Sequence, residues 1–90
     1  MTPNGRTMLG AVAAYGTDGA TPAELIRRFP EVYAGDVRSV TASLHLTGSY
    51  LVGLGYLKRG RRQIDRRGDG VKSGGPRLYR LTREGRAALG

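Results

Sequence analysis

The hydrophobic pattern of this chain changes its period once, at Tyr56. Before that residue, apolar side chains recur every three or four positions, which is typical of helices; after it, the pattern is that of extended strands. A chain of 90 residues is long enough for one small domain with a thin core. The sequence therefore predicts a single α+β domain over residues 1–90, with its helices first and a β-hairpin after them.

Two short helices are predicted in the first third of the chain. The first covers residues 4–15 and carries apolar side chains at helical spacing: Met8, Leu9, Val12 and Tyr15. The second covers residues 21–29, and its start has an N-cap, a proline at the first helical position and a capping-box glutamate: Thr21, Pro22 and Glu24. The inward side of this second helix would consist of Leu25, Ile26 and Phe29.

A third and longer helix is predicted over residues 36–53, with Asp36 as its N-cap. One apolar stripe follows it, formed by Val37, Val40, Leu44, Leu51 and Leu54. Leu46 and Tyr50 fall on the opposite side. They would form a dimer contact or pack under the hairpin or the first helix, and packing is favoured because so small a domain can enclose a helix on two sides.

The last third of the chain is predicted to form the hairpin, over residues 56–81. Its strands are "GYLKRGRRQID" and "PRLYRLT", and the segment "RRGDGVKSGG" between them would be a long glycine-rich tip. Thr82 would then cap a short C-terminal helix over residues 82–89.

Positive charge is concentrated in this hairpin. Residues 57–82 contain nine of the fifteen basic side chains and only two acidic ones, within a chain of net charge +8. The remaining residues are nearly neutral, so solubility alone explains this distribution poorly. A field of this kind attracts polyanions, which makes nucleic acid the favoured partner.

Several classes of function are disfavoured by composition. The chain has no cysteine and one histidine, and it lacks a phosphate-binding loop and paired carboxylates at catalytic spacing. We therefore expect no enzymatic activity, metal site or cofactor, and no small-molecule ligand is evident. No apolar run approaches the roughly 20 residues that span a bilayer, so we expect a cytoplasmic, nucleoid-associated protein that does not bind membranes.

The order of elements resembles a winged helix-turn-helix, a three-helix core with a basic β-hairpin wing and a short C-terminal helix. "LVGLGYLKR" resembles the junction between recognition helix and wing, and "GGPRLYRLTREGRAAL" is similar to the segment that closes the wing in PadR and MarR transcriptional regulators. Gly48 departs from that pattern, because a large aliphatic residue is usual there. The resemblance implies double-stranded DNA binding, with the third helix in the major groove and the wing on the phosphate backbone or in the minor groove.

Candidate contact residues follow from the exposed face of the third helix and from the basic residues of the wing. On the helix they are Arg38, Ser39, Thr41, Ala42, His45 and Ser49. On the wing they are Lys58, Arg59, Arg61, Arg62, Arg66, Arg67, Lys72 and Arg77. For His45, an exposed side chain without a role is the more usual expectation than a DNA contact.

Other functions remain open at this point. The protein would serve as a transcriptional regulator or as an architectural or recombination accessory factor; RNA binding and docking on an acidic protein are further alternatives. A single module of this size covers little DNA. We therefore expect a homodimer, or cooperative binding to half-sites about one helical turn apart.

Overall fold

A computed structural model describes residues 1–65 and 72–90 of the chain, with side chains for 1–61 and 76–90. This part of the chain has four helices: α1 (Pro3–Ala13), α2 (Pro22–Arg28), α3 (Val37–Gly53) and α4 (Arg83–Ala88). A short 3-10 turn, Gly16–Asp18, follows α1. Two antiparallel strands, β1 (Leu57–Asp65) and β2 (Lys72–Leu81), lie between α3 and α4. The predicted α+β class is confirmed.

Side-chain caps set the start of every one of these helices. The side chains of Thr2, Thr21, Asp36 and Thr82 each accept a hydrogen bond from a backbone N–H of the first turn. At α2 the capping box is complete, because Glu24 Oε1 accepts from the Thr21 N–H at 2.9 Å while Thr21 Oγ1 accepts from the Glu24 N–H at 3.2 Å. The caps predicted at Thr21, Asp36 and Thr82 are confirmed; the Thr2 cap was not foreseen.

The core lies where α1, α2, α3 and the base of the hairpin meet. Its buried side chains are Met8, Leu9, Ala11, Val12, Ala20, Leu25, Leu44, Leu51, Leu57 and Tyr79. The predicted stripe on α3 is correct in the middle and wrong at both ends, since Val37 is 62% exposed and Leu54 is 44% exposed. The reason is length: α3 has 17 residues and α2 only 7, so both ends of α3 extend beyond the helices that cover it.

The second strand of the hairpin starts earlier than the sequence pattern indicated. Pairing runs from Leu57 opposite Leu81 to Asp65 opposite Lys72, with an irregularity between Arg61 and Gln63. Because β2 starts at Lys72, four residues of the segment predicted to be a tip belong to the strand. Backbone pairing therefore continues along both strands as far as the pair formed by Asp65 and Lys72.

A single extended residue ties the hairpin to the helices. Ala20, between the 3-10 turn and α2, exchanges both backbone hydrogen bonds with Tyr79, each at 2.9 Å. Gly19, beside it, has φ +74°, and a Cβ there would lie 2.6 Å from the Tyr79 carbonyl oxygen. This residue must therefore be glycine for the chain to approach β2 so closely.

Within the described ranges, none of the helices combines the length and the apolarity that crossing a bilayer requires.

Candidate nucleic-acid interface

The basic side chains at the base of the hairpin are divided between its two faces. Successive residues of a strand point to opposite sides, and directly opposed residues share a side. Arg59 pairs with Tyr79 and Arg61 with Arg77, so these residues share the face of the buried Tyr79 ring. Lys58 pairs with Arg80 on the other face. Three of the predicted wing contacts, Arg59, Arg61 and Arg77, thus lie on the side of the hairpin that faces the helices.

The outward side of α3 supplies the second half of the surface. Arg38, Ser39 and Ala42 are exposed near the start of the helix, and Thr41, His45 and Ser49 are half-buried. The Ser39 hydroxyl donates to Asp36 Oδ2 at 3.0 Å, so it is already engaged in the cap. Of these residues, His45 and Ser49 are the two whose side chains contact the hairpin.

A direct hydrogen bond joins the two halves. Arg59 Nη2 donates to Ser49 Oγ at 2.6 Å, which joins the third residue of β1 to the C-terminal half of α3. Since Arg59 shares its strand face with Arg61 and Arg77, this contact places a group of guanidinium-bearing residues beside the outward side of α3. Ser49 of α3 and three of the eight wing candidates, Arg59, Arg61 and Arg77, therefore lie on the same side of the molecule.

His45 has a partner and is not an idle exposed side chain. Its Nδ1 lies 2.8 Å from the Tyr79 hydroxyl oxygen, and the two rings are 5.9 Å apart between centroids. Partial burial lowers the pKa of His45, and the positive charge of Arg77 lowers it further. Because the ordinary pKa is about 6.5, the imidazole is uncharged at neutral pH. It acts here as a neutral hydrogen-bonding group between α3 and β2.

This environment predicts how stability depends on pH. Because the pKa of His45 is lower in the folded than in the unfolded protein, its contribution is complete above about pH 6.5. This contribution is lost as the pH falls through the pKa that His45 has in the folded protein, since the unfolded chain takes up a proton at a higher pH. We expect urea unfolding to show declining stability across this window and His45→Gln to flatten the decline. An unchanged decline in the variant would assign the effect to other groups.

The side chain of Tyr79 decides how the hairpin sits on α3. The ring is fully buried and packs against the backbone of α3 at Gly48, where an added Cβ would lie 2.7 Å from two ring carbons. The glycine at position 48 of α3 is thereby explained, since the aromatic side chain of β2 occupies the space that a large aliphatic residue would fill. From the sequence, Tyr79 is assigned to the second strand and to the motif that closes the hairpin, and its contact with α3 is missed. The glycine at position 48, where a large aliphatic residue is usual, is the signal that could have revealed it.

The expectation that Leu46 and Tyr50 of α3 pack against neighbouring elements holds for only one of them. Leu46 is 75% exposed, so the expectation was wrong for it, because no described element covers that side of the helix. Tyr50 is 38% exposed, and its ring lies against Gly5 of α1. Only Tyr50 therefore packs on the first helix.

The remaining wing candidates lie further along the hairpin. Lys58 is exposed on the opposite face from Arg59. Arg62 and Lys72 belong to the strands, but their side chains are outside the described part of the structure, and Arg66 and Arg67 lie outside the described residues altogether.

One arginine outside the hairpin, Arg28, contacts the C-terminal end of α1. Arg28 Nη1 donates to the Ala14 carbonyl oxygen at 3.3 Å, and its guanidinium lies 4.9 Å from the centre of the Tyr15 ring. This side chain closes the C-terminal end of α1 and stacks on an aromatic ring, which stabilises the contact between α1 and α2.

Among the described residues, no group of three or more His, Asp or Glu side chains is arranged to hold a metal ion. No protein-family model, curated protein or solved structure matches this chain.

Proposed function

We propose that this protein is a winged helix-turn-helix that binds double-stranded DNA, with α3 in the major groove and the β1–β2 hairpin on the phosphate backbone or in the adjacent minor groove. The order of elements and the bridge at Ala20, which adds a third extended segment beside the hairpin, support this assignment of the fold. The resemblance to PadR and MarR regulators favours a role in transcription. An architectural role would use the same surface.

One observation carries the proposal: the hydrogen bond between Arg59 and Ser49. The major groove is about 12 Å wide and accepts a single helix, so a hairpin fixed beside that helix must meet the sugar-phosphate backbone. Arginines on the hairpin face next to α3 then lie where phosphates lie. Arg38 and Ala42, exposed at the start of α3, remain available for base edges.

The two faces of the hairpin provide a matched test. Arg59→Gln with Arg77→Gln removes two charges from the face beside α3, and Lys58→Gln with Arg80→Gln removes two from the opposite face. In duplex titrations by fluorescence anisotropy across a salt series, the first pair should reduce the slope of log K against log salt by about 2, roughly 1 per phosphate contact. The second pair should leave the slope nearly unchanged.

Equal losses from both pairs would show that the protein responds to net charge only, which would contradict the proposed orientation. Absence of duplex binding by the wild-type protein at low salt would contradict the function itself. Structured RNA as competitor at one fixed salt concentration separates the two nucleic acids. The stoichiometry of the same titration shows whether two copies bind adjacent half-sites, which is the arrangement that we propose for specific binding.

A further inference from the structure

The most exposed large apolar side chain among the described residues is that of Leu46, in the middle of α3. It is 75% exposed, whereas Leu44 and Gly48 on the inner side of the same helix are buried. Since an α-helix turns by about 100° per residue, Leu46 lies about 160° from Gly48 and about 200° from Leu44 around the helix axis. It therefore points away from the core.

Two further exposed residues continue this side of α3 toward its start. Arg38, Ala42 and Leu46 are four positions apart, so they lie in one row along the helix, and all three are exposed. At about 1.5 Å per residue, the row is about 12 Å long. Base pairs are stacked about 3.4 Å apart, so a helix in the major groove would present this row to bases within about four base pairs of one another.

Positive charge near Leu46 favours DNA over a second copy of the chain as its partner. Arg38 lies in the same row, and Ser49, about one turn after Leu46, accepts a hydrogen bond from the Arg59 guanidinium at 2.6 Å. A two-fold contact centred on Leu46 would bring these basic groups of two copies toward each other, which is unfavourable. The same groups attract the phosphates on either side of a groove, so the charge of this surface is complementary to DNA.

The major groove offers one apolar group to such a side chain. Every base edge there carries hydrogen-bonding atoms, and only thymine adds a methyl group, at C5. A leucine placed against the polar atoms would remove their water without replacing the hydrogen bonds, which is unfavourable. Against the thymine methyl group both surfaces are apolar, and their burial is favourable. Thymine is therefore the base whose edge fits Leu46 best.

We propose that Leu46 is a specificity-determining residue whose side chain contacts the C5-methyl group of a thymine in the major groove. This inference rests on the proposed DNA binding and adds a base preference to it. The thymine lies within about four base pairs of the base that Arg38 meets. Loss of its methyl group alone weakens binding.

Deoxyuridine is the matched probe, because it keeps the hydrogen-bonding edge of thymidine and lacks only the methyl group. A duplex is first selected from random sequences with the full chain, and each thymidine is then replaced in turn by deoxyuridine. In anisotropy titrations at one salt concentration, the replacement should weaken binding about fourfold at one position or more, which corresponds to the burial of one methyl-sized group.

Leu46→Ala should bind the thymidine and deoxyuridine duplexes equally, and it should fold as the wild type does because the side chain is exposed. Leu46→Met keeps an apolar side chain of similar volume and should retain the difference. Leu54→Ala is the control, since it makes the same change at another exposed leucine at the end of α3, and it should also retain the difference.

The inference is overturned if the bound duplexes share no preferred sequence, if no thymidine shows the effect, or if the effect persists in Leu46→Ala. It is also overturned if Leu46→Ala weakens both duplexes equally and the complex loses a second copy, because Leu46 would then be a contact between copies. In each of these outcomes the wild-type protein still binds duplex DNA. Failure of the proposed function differs, since the wild type would then bind no duplex even at low salt, and the inference would fall with it.

Discussion

Gly85→Ala should destabilise the protein by more than about 3 kcal/mol, a large part of the 5–15 kcal/mol that stabilises an ordinary domain. Gly85 lies in the first turn of α4, and a Cβ there would overlap the Tyr56 carbonyl oxygen. That oxygen belongs to the backbone and also accepts from the Thr82 N–H at 3.1 Å, so it cannot move away without loss of that hydrogen bond. Urea unfolding followed by circular dichroism measures the change.

Gly10→Ala is the matched control for this variant. Gly10 lies inside α1, and a Cβ there meets no atom within 4 Å. Replacement of a helical glycine by alanine in open space stabilises by about 0.5–1 kcal/mol, so the two variants should have opposite signs. If Gly85→Ala differed from wild type by less than about 1 kcal/mol, the close packing of α4 on the start of the hairpin would be wrong.

The second large effect is expected at Tyr79, where truncation to alanine should cost about 3–5 kcal/mol. The ring is completely buried against Gly48, and its hydroxyl is bonded to His45. Removal of the ring leaves a cavity between the hairpin and α3 and takes the hydrogen-bond partner from His45. Tyr79→Leu, which keeps an apolar side chain, should cost less and serves as the measurable variant if the alanine variant does not fold.

The packing of Tyr79 on Gly48 also predicts that the effect of Gly48→Ala on the free energy of unfolding changes sign when the Tyr79 ring is removed. In the wild-type background Gly48→Ala should destabilise by about 1–2 kcal/mol, because the clash with the ring outweighs the gain in helix propensity. In the Tyr79→Ala background, or with Tyr79→Leu, the same change should become neutral or stabilising. A double-mutant cycle by urea unfolding gives the coupling between the two positions.

Gly53→Ala is the control, since Gly53 is also in α3 but a Cβ there meets nothing within 4 Å. Its effect should have the same sign and size in both backgrounds. Equal effects of Gly48→Ala with and without the Tyr79 ring would show that the ring does not lie against α3, and the explanation of Gly48 would be wrong.

The helices could be located from sequence because the signals that start them are local. A cap such as Thr21 with Glu24 acts within one turn, and both hydrogen bonds of that capping box are present. The stripe on α3 was less reliable, because burial of Val37 and Leu54 depends on how far neighbouring helices extend. The end of β1 at Asp65 was predicted correctly, but β2 starts four residues earlier than predicted, since strand pairing depends on the partner strand and composition there favours a loop.

The amino-acid sequence by itself determined the class of the fold, the helix caps and the concentration of charge in one segment, because each depends on neighbours within a few positions. Only the tertiary structure decided which arginines face α3, that His45 bonds to Tyr79, and that Gly48 accommodates a ring from β2. Strand alternation defines two faces without saying which one meets the helices. That choice follows from packing between residues about 30 positions apart, which no local pattern encodes.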